Sequence, residues 1–286
     1  MTRVFLEEKI RNVFDEFIDG NWCELNNSRL NSDSYSSIVN QQKYILKYYG
    51  AYFCELYEMY ETFLRTFKGQ TLNVLSLGCG SGVDCEALNR VKSDMELEID
   101  INYLGIDIVD WNYRPNFDWA NFRTMCVSEL SSSDVDNVHL FVFPKSLTEL
   151  NRSVRRTIGT QISTHNKQEK IYFINTYVTD CAKYRRVDGI EQFQMINRIM
   201  ESNGWDSLSK TDRYCYKTNG GWLGYNYSFF KLPDELKPFV EELKDSCNDH
   251  NGSITCNCCD IDFIPILNSK YLAFNLLEYK RKSDDN

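Results

Sequence analysis

Three closely spaced glycines interrupt the stretch NVLSLGCGSGVDCEAL, which covers residues 73–88. Gly78, Gly80 and Gly82 follow an apolar run and precede a segment with helical spacing. A strand, a glycine-rich turn and a helix N-terminus together form a site for a polar or anionic ligand, because backbone N–H groups are exposed there and glycine lets the ligand approach the chain. The chemistry predicted for this stretch is ligand binding by bare backbone.

The spacing of the glycines narrows the class of ligand. Dinucleotide-binding loops usually have a third glycine or an alanine one place later, where this chain has Val83. No Gly-Lys-Ser or Gly-Lys-Thr follows, which excludes a P-loop. An acidic residue at the end of the next strand can accept hydrogen bonds from both ribose hydroxyls, and the run YLGID supplies Asp107. A nucleoside-like ligand is therefore favoured over one held mainly by its phosphates.

The runs VLSLGCGSG and YLGID resemble motifs I and II of the class I S-adenosylmethionine-dependent methyltransferases, and the resemblance covers roughly residues 72–176. It implies S-adenosylmethionine as the cofactor, with the glycine loop along its methionine part and Asp107 at its ribose. It also implies that the end of the third strand flanks the adenine and that the segment FPKS lies beside the reacting methyl group. The cofactor-binding residues implied in this way are Gly78, Cys79, Gly80, Gly82, Asp107, Ile108, Val127, Ser128 and Phe143.

The sequence departs from the family pattern at two places. Most members have an acidic residue two positions before the first glycine, where it helps to hold the cofactor's amino group, and this chain has Ser76. The charged insert KSDMELEID also lengthens the stretch between the loop and Asp107. A second hypothesis therefore stays open, an inert methyltransferase-like module that binds a nucleoside or nothing. A nicotinamide-dependent oxidoreductase is the least favoured, because of Val83.

Few residues are obligatory for methyl transfer, since displacement at a sulfonium mainly requires a positioned nucleophile and, for some acceptors, removal of a proton. The segment FPKSLTEL (143–150) lacks the Asn/Asp-Pro-Pro-aromatic run of nucleic-acid amino methyltransferases. Glu149 could act as a base or orient an amine, and Lys145 could attract an acidic substrate. The simpler interpretations are a first-turn helix position for Glu149 and a solvated loop position for Lys145. His139 and His165 are given no role.

Charge and cysteine content constrain partners and location. The net charge of -9 over 286 residues disfavours RNA, although Arg152, Arg155 and Arg156, and a second group at 183–186, could contact phosphate. A small-molecule or protein acceptor is favoured, and the oligomeric state is not indicated. The N-terminus is not a signal peptide and no run approaches the roughly 20 apolar residues of a membrane span, so we expect a cytoplasmic protein.

The 11 cysteines are expected to be thiols, because most lie singly in apolar stretches, as Cys54, Cys126 and Cys181 do. One cluster could form a tetrahedral zinc site. Its spacing matches no pair of CxxC knuckles, so we expect reduced cysteines and no metal there. The cluster consists of Cys247, His250, Cys256, Cys258 and Cys259.

The elements that must position these residues follow an alternating pattern typical of an α/β fold with a doubly wound, mostly parallel sheet. With the resemblance, this predicts a Rossmann-like methyltransferase domain over 69–286, preceded by an N-terminal helical extension over 1–68. Additions from about 205 comprise a β-hairpin around 219–221, a helix and a closing strand, and we expect the acceptor to enter between the N-terminal aromatic helices and Trp222. The predicted strands are 72–77, 102–107, 122–127, 138–143, 170–176 and 270–280, and the predicted helices are a first one ending near Gly20, then 44–67, 83–91, 148–163, 187–200 and 233–247.

Overall fold

The computed structural model describes residues 2–17, 34–177, 189–211, 215–216 and 273–282. Within them one sheet has the strand order β3-β2-β1-β4-β5-β8-β6, with β7 also paired to β8. Strands β1 to β5 pair with one another in parallel, and β8 runs antiparallel to β5, β6 and β7. The strands are β1 (Thr71–Leu77), β2 (Asp100–Asp107), β3 (Ala120–Thr124), β4 (Leu140–Pro144), β5 (Lys170–Tyr177), β6 (Trp205–Ser207), β7 (Cys215–Tyr216) and β8 (Ala273–Arg281).

Helices cover both faces of the sheet. Side chains alternate along each buried strand, so Val74 of β1 packs with the N-terminal helices while Leu75 packs with α6 and α7 on the other face. The predicted doubly wound α/β fold class is confirmed. The helices are α1 (Thr2–Phe17), α2 (Ile38–Tyr44), a π-helical turn (Ile45–Tyr49), α3 (Gly50–Thr66), α4 (Val83–Asp94), α5 (Ser132–Val135), α6 (Arg152–His165) and α7 (Ile190–Ser202).

The strand order creates a crevice beside β1. The chain passes from β1 to β2 on one side of β1 and later returns from β3 to β4 on its other side, so the connections after β1 and β3 run in opposite directions. Ligands of open α/β sheets bind at this switch point, outside the carboxyl ends of the strands. The glycine loop, Asp107 and Lys145 directly follow or end β1, β2 and β4, so the topology brings them to one edge of the sheet.

Several element boundaries differ from the sequence prediction. Strand β3 is Ala120–Thr124 and not 122–127, which leaves Val127 in a short 3₁₀ turn, Val127–Glu129. Helix α6 begins at Arg152 and not near Thr148, because the side chain of Asn151 caps it by accepting a hydrogen bond from the Val154 amide at 3.0 Å. The predicted hairpin at 219–221, the helix at 233–247, Trp222 and the end of the first helix near Gly20 lie outside the described residues.

The division of the chain at residue 68 stays a prediction. None of the described helices combines the length and the apolar character that a transmembrane segment needs.

His139 joins the amino ends of β1 and β4. Its Nδ1 accepts a hydrogen bond from the Asn73 amide at 3.1 Å, and its ring packs edge-on against Phe67. Burial lowers the pKa of this imidazole. The histidine is therefore a structural acceptor, far along the strands from the glycine loop.

We expect His139 to make the protein less stable in acid. Its folded-state pKa lies below the unfolded value of about 6.5, so the stability that it contributes is complete above that pH and is lost as the pH falls through the folded pKa. Urea unfolding of wild type and His139→Gln at pH 5 and 7.5 should show a smaller difference at pH 5. His165→Gln, at the exposed end of α6, is the control, and an equal difference at both pH values would contradict the assignment.

Candidate functional site

The glycine loop is built so that only glycine fits. Gly78, Gly80 and Gly82 have φ values of +74°, +53° and +72°, in the left-handed region that other residues avoid. A Cβ atom at Gly78 would lie 2.4 Å from Cβ of Ser146, and one at Gly82 would lie 2.7 Å from Cδ of Pro115. The backbone therefore turns tightly from β1 into α4, and neighbouring side chains hold it from two sides.

Most of the loop's amide groups are used inside the protein. The N–H groups of Gly78 and Cys79 donate to the Ile106 carbonyl at 2.8 and 3.1 Å, and that of Gly82 donates to the Cys79 carbonyl at 2.9 Å. The Gly80 N–H donates to Oδ2 of Asp107 at 2.8 Å. This differs from the expectation that exposed N–H groups bind the ligand. The loop offers close approach to the backbone, and these four amides are already satisfied.

Asp107 is fixed at the end of β2 by two backbone amides. Besides the Gly80 N–H at Oδ2, its Oδ1 accepts a hydrogen bond from Val109 N at 2.9 Å. A carboxylate offers about four acceptor positions, so about two are left for a ligand. The next side chain, Ile108, is 69% exposed, which is unusual for a large apolar residue. The strand end thus presents hydrogen-bond acceptors beside an apolar surface.

Arg114 supports the same loop from behind, and the sequence analysis did not find it. Its Nε donates to the Gly80 carbonyl at 3.3 Å and its Nη2 to the Val109 carbonyl at 2.9 Å. Its guanidinium lies over the ring of Phe122, 5.3 Å from the centroid. The segment between β2 and β3 is irregular, so no periodicity in the sequence could indicate where this side chain points.

A buried carboxylate, Asp84, lies beside Ser76. The Tyr103 hydroxyl donates to both Asp84 oxygens at 2.9 and 3.0 Å, and the Tyr60 hydroxyl lies 3.4 Å away. Burial raises the pKa of Asp84 to about 6, and the Ser76 and Tyr103 hydroxyls oppose that rise. Ser76 Oγ makes no hydrogen bond of ordinary geometry, but it is near enough to act on this charge. The acid missing at position 76 is therefore matched by one on α4.

Lys145 is held by at least four groups directly after β4. Its ammonium lies 2.6 Å from Oε2 of the fully buried Glu55, donates to the Tyr177 carbonyl at 2.7 Å, and lies 5.0 Å from the centroid of Tyr52. Its amide donates to Thr176 Oγ1 at 2.9 Å, and its φ of +61° is rare outside glycine. Burial lowers its pKa, while Glu55 opposes the change. The interpretation of Lys145 as a solvated loop lysine is therefore wrong.

Glu149 lies in the exposed turn between β4 and α6. Its predicted place in the first turn of a helix is wrong, because α6 begins three residues later. Burial raises the pKa of the Tyr35 hydroxyl, and the charges of Glu149 and Asp107 raise it further. Tyr35 therefore lies within electrostatic reach of both acids. The chain preceding α2 covers the crevice between the ends of β2 and β4.

An aromatic cluster formed by Tyr35, Tyr44 and Trp111 covers the loop. The Trp111 ring centroid lies 4.9 Å from that of Tyr35 and 5.1 Å from that of Tyr44. Gln41 attaches α2 to the segment after β2, donating to the Asp110 carbonyl at 3.0 Å and accepting from Asn112 N at 2.9 Å. The sequence analysis did not predict this contact with the loop.

The remaining predicted cofactor residues are placed differently from one another. Phe143 is fully buried and stacks on Phe173, and Val127 lies in the same core cluster, so only their backbones can border a ligand. Ser128 is exposed, with Oγ 2.9 Å from Sγ of Cys126. Cys79 is buried within the loop, and burial raises the pKa of its thiol.

The predictions for cysteines and basic residues are tested in part. Cys54, Cys79, Cys85 and Cys126 are thiols, as expected. Cys181, residues 183–186 and the cysteine-histidine cluster at 247–259 lie outside the described residues. In the part of the chain that the structure describes, no group of three or more His, Cys, Asp or Glu side chains could hold a metal ion. Arg155 turns inward and donates to the Leu150 carbonyl at 2.6 Å, so it does not extend the proposed basic face.

The structure is similar to solved structures of methyltransferases at low sequence identity. It matches the TehB-like SAM-dependent methyltransferase from Corynebacterium glutamicum with a TM-score of 0.39 and 11% identity, over 78% of this chain and 87% of that chain. It matches the plantazolicin methyltransferase BpumL in complex with SAH with a TM-score of 0.46 and 12% identity, over 98% of this chain and 100% of that chain. For magnesium protoporphyrin IX methyltransferase (ChlM) from Synechocystis PCC 6803 with bound SAH, the TM-score is 0.41 and the identity 11%, over 96% of this chain and 98% of that chain.

All three are methyltransferases, and the glycine-loop sequence resembles a motif of that class of enzyme. At these identities the similarity concerns the fold alone. No protein-family model and no curated protein sequence matches the chain.

We expect Lys145→Met to destabilise the protein by about 3–5 kcal/mol, because it leaves the buried Glu55 carboxylate without its cation. The double variant Lys145→Met with Glu55→Leu should recover much of that loss. Chemical unfolding measures both effects. Lys167→Met is the control, because its partner Asp136 lies at the surface and the loss there should be much smaller. Equal losses in the two single variants would contradict the described role of the pair.

Asp84 should make the protein less stable as the pH rises. Its folded-state pKa of about 6 lies above the ordinary 3.8, so the neutral acid is favoured by folding and the benefit is lost between about pH 4 and 6. Over that range the loss is about 3 kcal/mol. Urea unfolding of Asp84→Asn between pH 4 and 7 should show the variant gaining stability relative to wild type. Parallel pH profiles for the two proteins would show that Asp84 does not titrate in this window.

Proposed function

We propose that this protein is an S-adenosylmethionine-dependent methyltransferase whose acceptor is a small molecule or a protein and not RNA. The observation that carries the proposal is the hydrogen bond between the Gly80 N–H and Asp107 Oδ2. This bond joins the glycine loop, where a ligand can approach the backbone closely, to a strand-end carboxylate that keeps free acceptor positions. Both lie at the switch point of the sheet, where an open α/β fold binds nucleosides.

Each part of the cofactor has a matching group in the crevice. The backbone of Gly78 to Gly82 would lie along the amino-acid part, and the free acceptor positions of Asp107 would bind the ribose hydroxyls. Ile108 would lie against the adenine, since an exposed apolar side chain next to Asp107 suits a flat ring. The bound cofactor supplies an electrophilic methyl group on a sulfonium.

Asp84 supports cofactor binding even though position 76 has a serine in place of the acid found in most family members. The charge of a buried carboxylate beside Ser76 is near enough to act on the first turn of the loop, where most family members have their acid. A cationic amino group nearby would favour the charged form of Asp84 and lower its pKa. We therefore assign Asp84 the electrostatic part of the role that the residue at position 76 has in the family.

The end of β4 favours an acceptor without phosphate. The Lys145 ammonium is engaged by Glu55 and the Tyr177 carbonyl, so we do not assign it the attraction of an acidic substrate. Glu149 is exposed in the turn that follows and lies within electrostatic reach of Tyr35. It is our candidate for orienting an acceptor or removing its proton, because methyl transfer needs little beyond positioning and a base.

An inert nucleoside-binding module is the alternative function. It is favoured by the internal pairing of Lys145 and by the replacement of the family's acid by Ser76. The alternative module binds a nucleoside or nothing, and it transfers no methyl group to any acceptor.

Calorimetry with S-adenosylhomocysteine tests the cofactor site. We expect the wild type to bind and Asp107→Ala to bind at least about 100-fold more weakly, because the variant loses charge-assisted hydrogen bonds to the ribose and the clamp on Gly80. Asp118→Ala is the matched control, since Asp118 is also acidic and lies exposed in the segment between β2 and β3. An absence of wild-type binding at millimolar ligand would contradict the proposed function.

A further inference from the structure

Trp111 brings an unused hydrogen-bond donor to the glycine loop. The side chain is only 6% exposed, and its Nε1 has no hydrogen-bond partner among the residues that the structure describes. A buried indole N–H normally finds an acceptor, because leaving it unpaired is unfavourable. This donor therefore calls for a partner that the described part of the chain does not supply.

The edge of the indole that carries this donor faces Gly80. A Cβ atom built at Gly80 would lie 3.6 Å from Cζ2, 3.7 Å from Cε2 and 4.0 Å from Nε1 of Trp111. The middle glycine of such a loop lacks a side chain so that a ligand can approach the backbone there. The unpaired N–H thus lies at the point of closest approach between ligand and loop.

The carboxylate of the cofactor's amino-acid part can accept several hydrogen bonds. Within the described loop the buried Ser81 hydroxyl has no partner, but most of the amides are already used. The amides of Gly78, Cys79, Gly80 and Gly82 all donate within the protein. The Arg114 guanidinium is engaged by the carbonyls of Gly80 and Val109.

Resting on the proposed function, we propose that the Nε1–H of Trp111 donates a hydrogen bond to the carboxylate of bound S-adenosylmethionine. The indole is held in place for this role before the cofactor binds. Tyr35 and Tyr44 pack against its ring, and Gln41 hydrogen-bonds the backbone on both sides of it, at the Asp110 carbonyl and the Asn112 amide. A donor fixed in this way loses little freedom on binding, which makes the contact effective.

The test compares two ligands on the variant Trp111→Phe, which keeps an aromatic ring and removes the N–H. S-adenosylhomocysteine carries the carboxylate, and 5′-methylthioadenosine shares the nucleoside and sulfur but lacks the amino-acid part. Calorimetry should show about tenfold weaker binding of S-adenosylhomocysteine and less than about a twofold change for 5′-methylthioadenosine. The ratio of the two affinities, measured on one sample, is insensitive to any loss of folded protein.

Trp119→Phe is the control. Trp119 stacks on Phe117, with the ring centroids 5.0 Å apart, and it is not among the side chains nearest to Gly80, so its replacement should leave both affinities unchanged. Equal weakening of both ligands by Trp111→Phe would place the indole at the nucleoside and overturn the proposal. Unchanged binding of S-adenosylhomocysteine would overturn it as well. Tighter binding would overturn it and indicate that the indole ring hinders the ligand at the loop. If the wild type binds neither ligand, the proposed function fails and not this assignment alone.

Discussion

The hydrogen bond from the Gly80 amide to the Asp107 carboxylate is the constraint on which the crevice depends. A loop with three left-handed glycines has no side chains of its own to hold its shape, so its geometry must come from its neighbours. Asp107 holds the loop from the end of β2, and Arg114 holds the Gly80 carbonyl from the other side. The same carboxylate oxygens face the place where a ribose would bind. Under the proposed function, one group therefore sets both the contact with the cofactor and the shape of the loop.

The N-terminal helices belong to the core that supports this loop. Tyr60 reaches the buried Asp84 on α4, Lys9 of α1 pairs with Glu86 at 2.8 Å, and Glu55 of α3 pairs with Lys145 after β4. Burying charges is costly, and such pairs contribute more to a defined arrangement than to net stability. Each pair links a helix above the sheet to a segment that borders the crevice. The pairs thus fix the position of the N-terminal helices relative to the crevice.

The sequence predicted the features that depend on local rules. The glycine loop, the strands around it and the acid at the end of β2 follow from turn chemistry and from the alternation of apolar runs. The contacts that define the site could not be predicted, because they join residues far apart in the chain. Lys145 and Glu55 are separated by 90 positions, and from the sequence Lys145 was interpreted as a solvated loop lysine. The start of α6 was missed because Asn151 caps it in place of a residue near Thr148.

The electrostatics of the crevice suit a cationic cofactor. Asp107, Glu149 and Asp84 place negative charge around the loop, while the nearest buried ammonium, that of Lys145, is balanced by Glu55. Tyrosine and tryptophan rings line the cover, and aromatic faces attract cations. When a neutral nucleophile takes the methyl group, the positive charge moves from sulfur to the acceptor and is not destroyed. Walls of carboxylate and aromatic groups can stabilise that charge at both ends of the transfer, whereas a site for phosphate would need free cations at the same place.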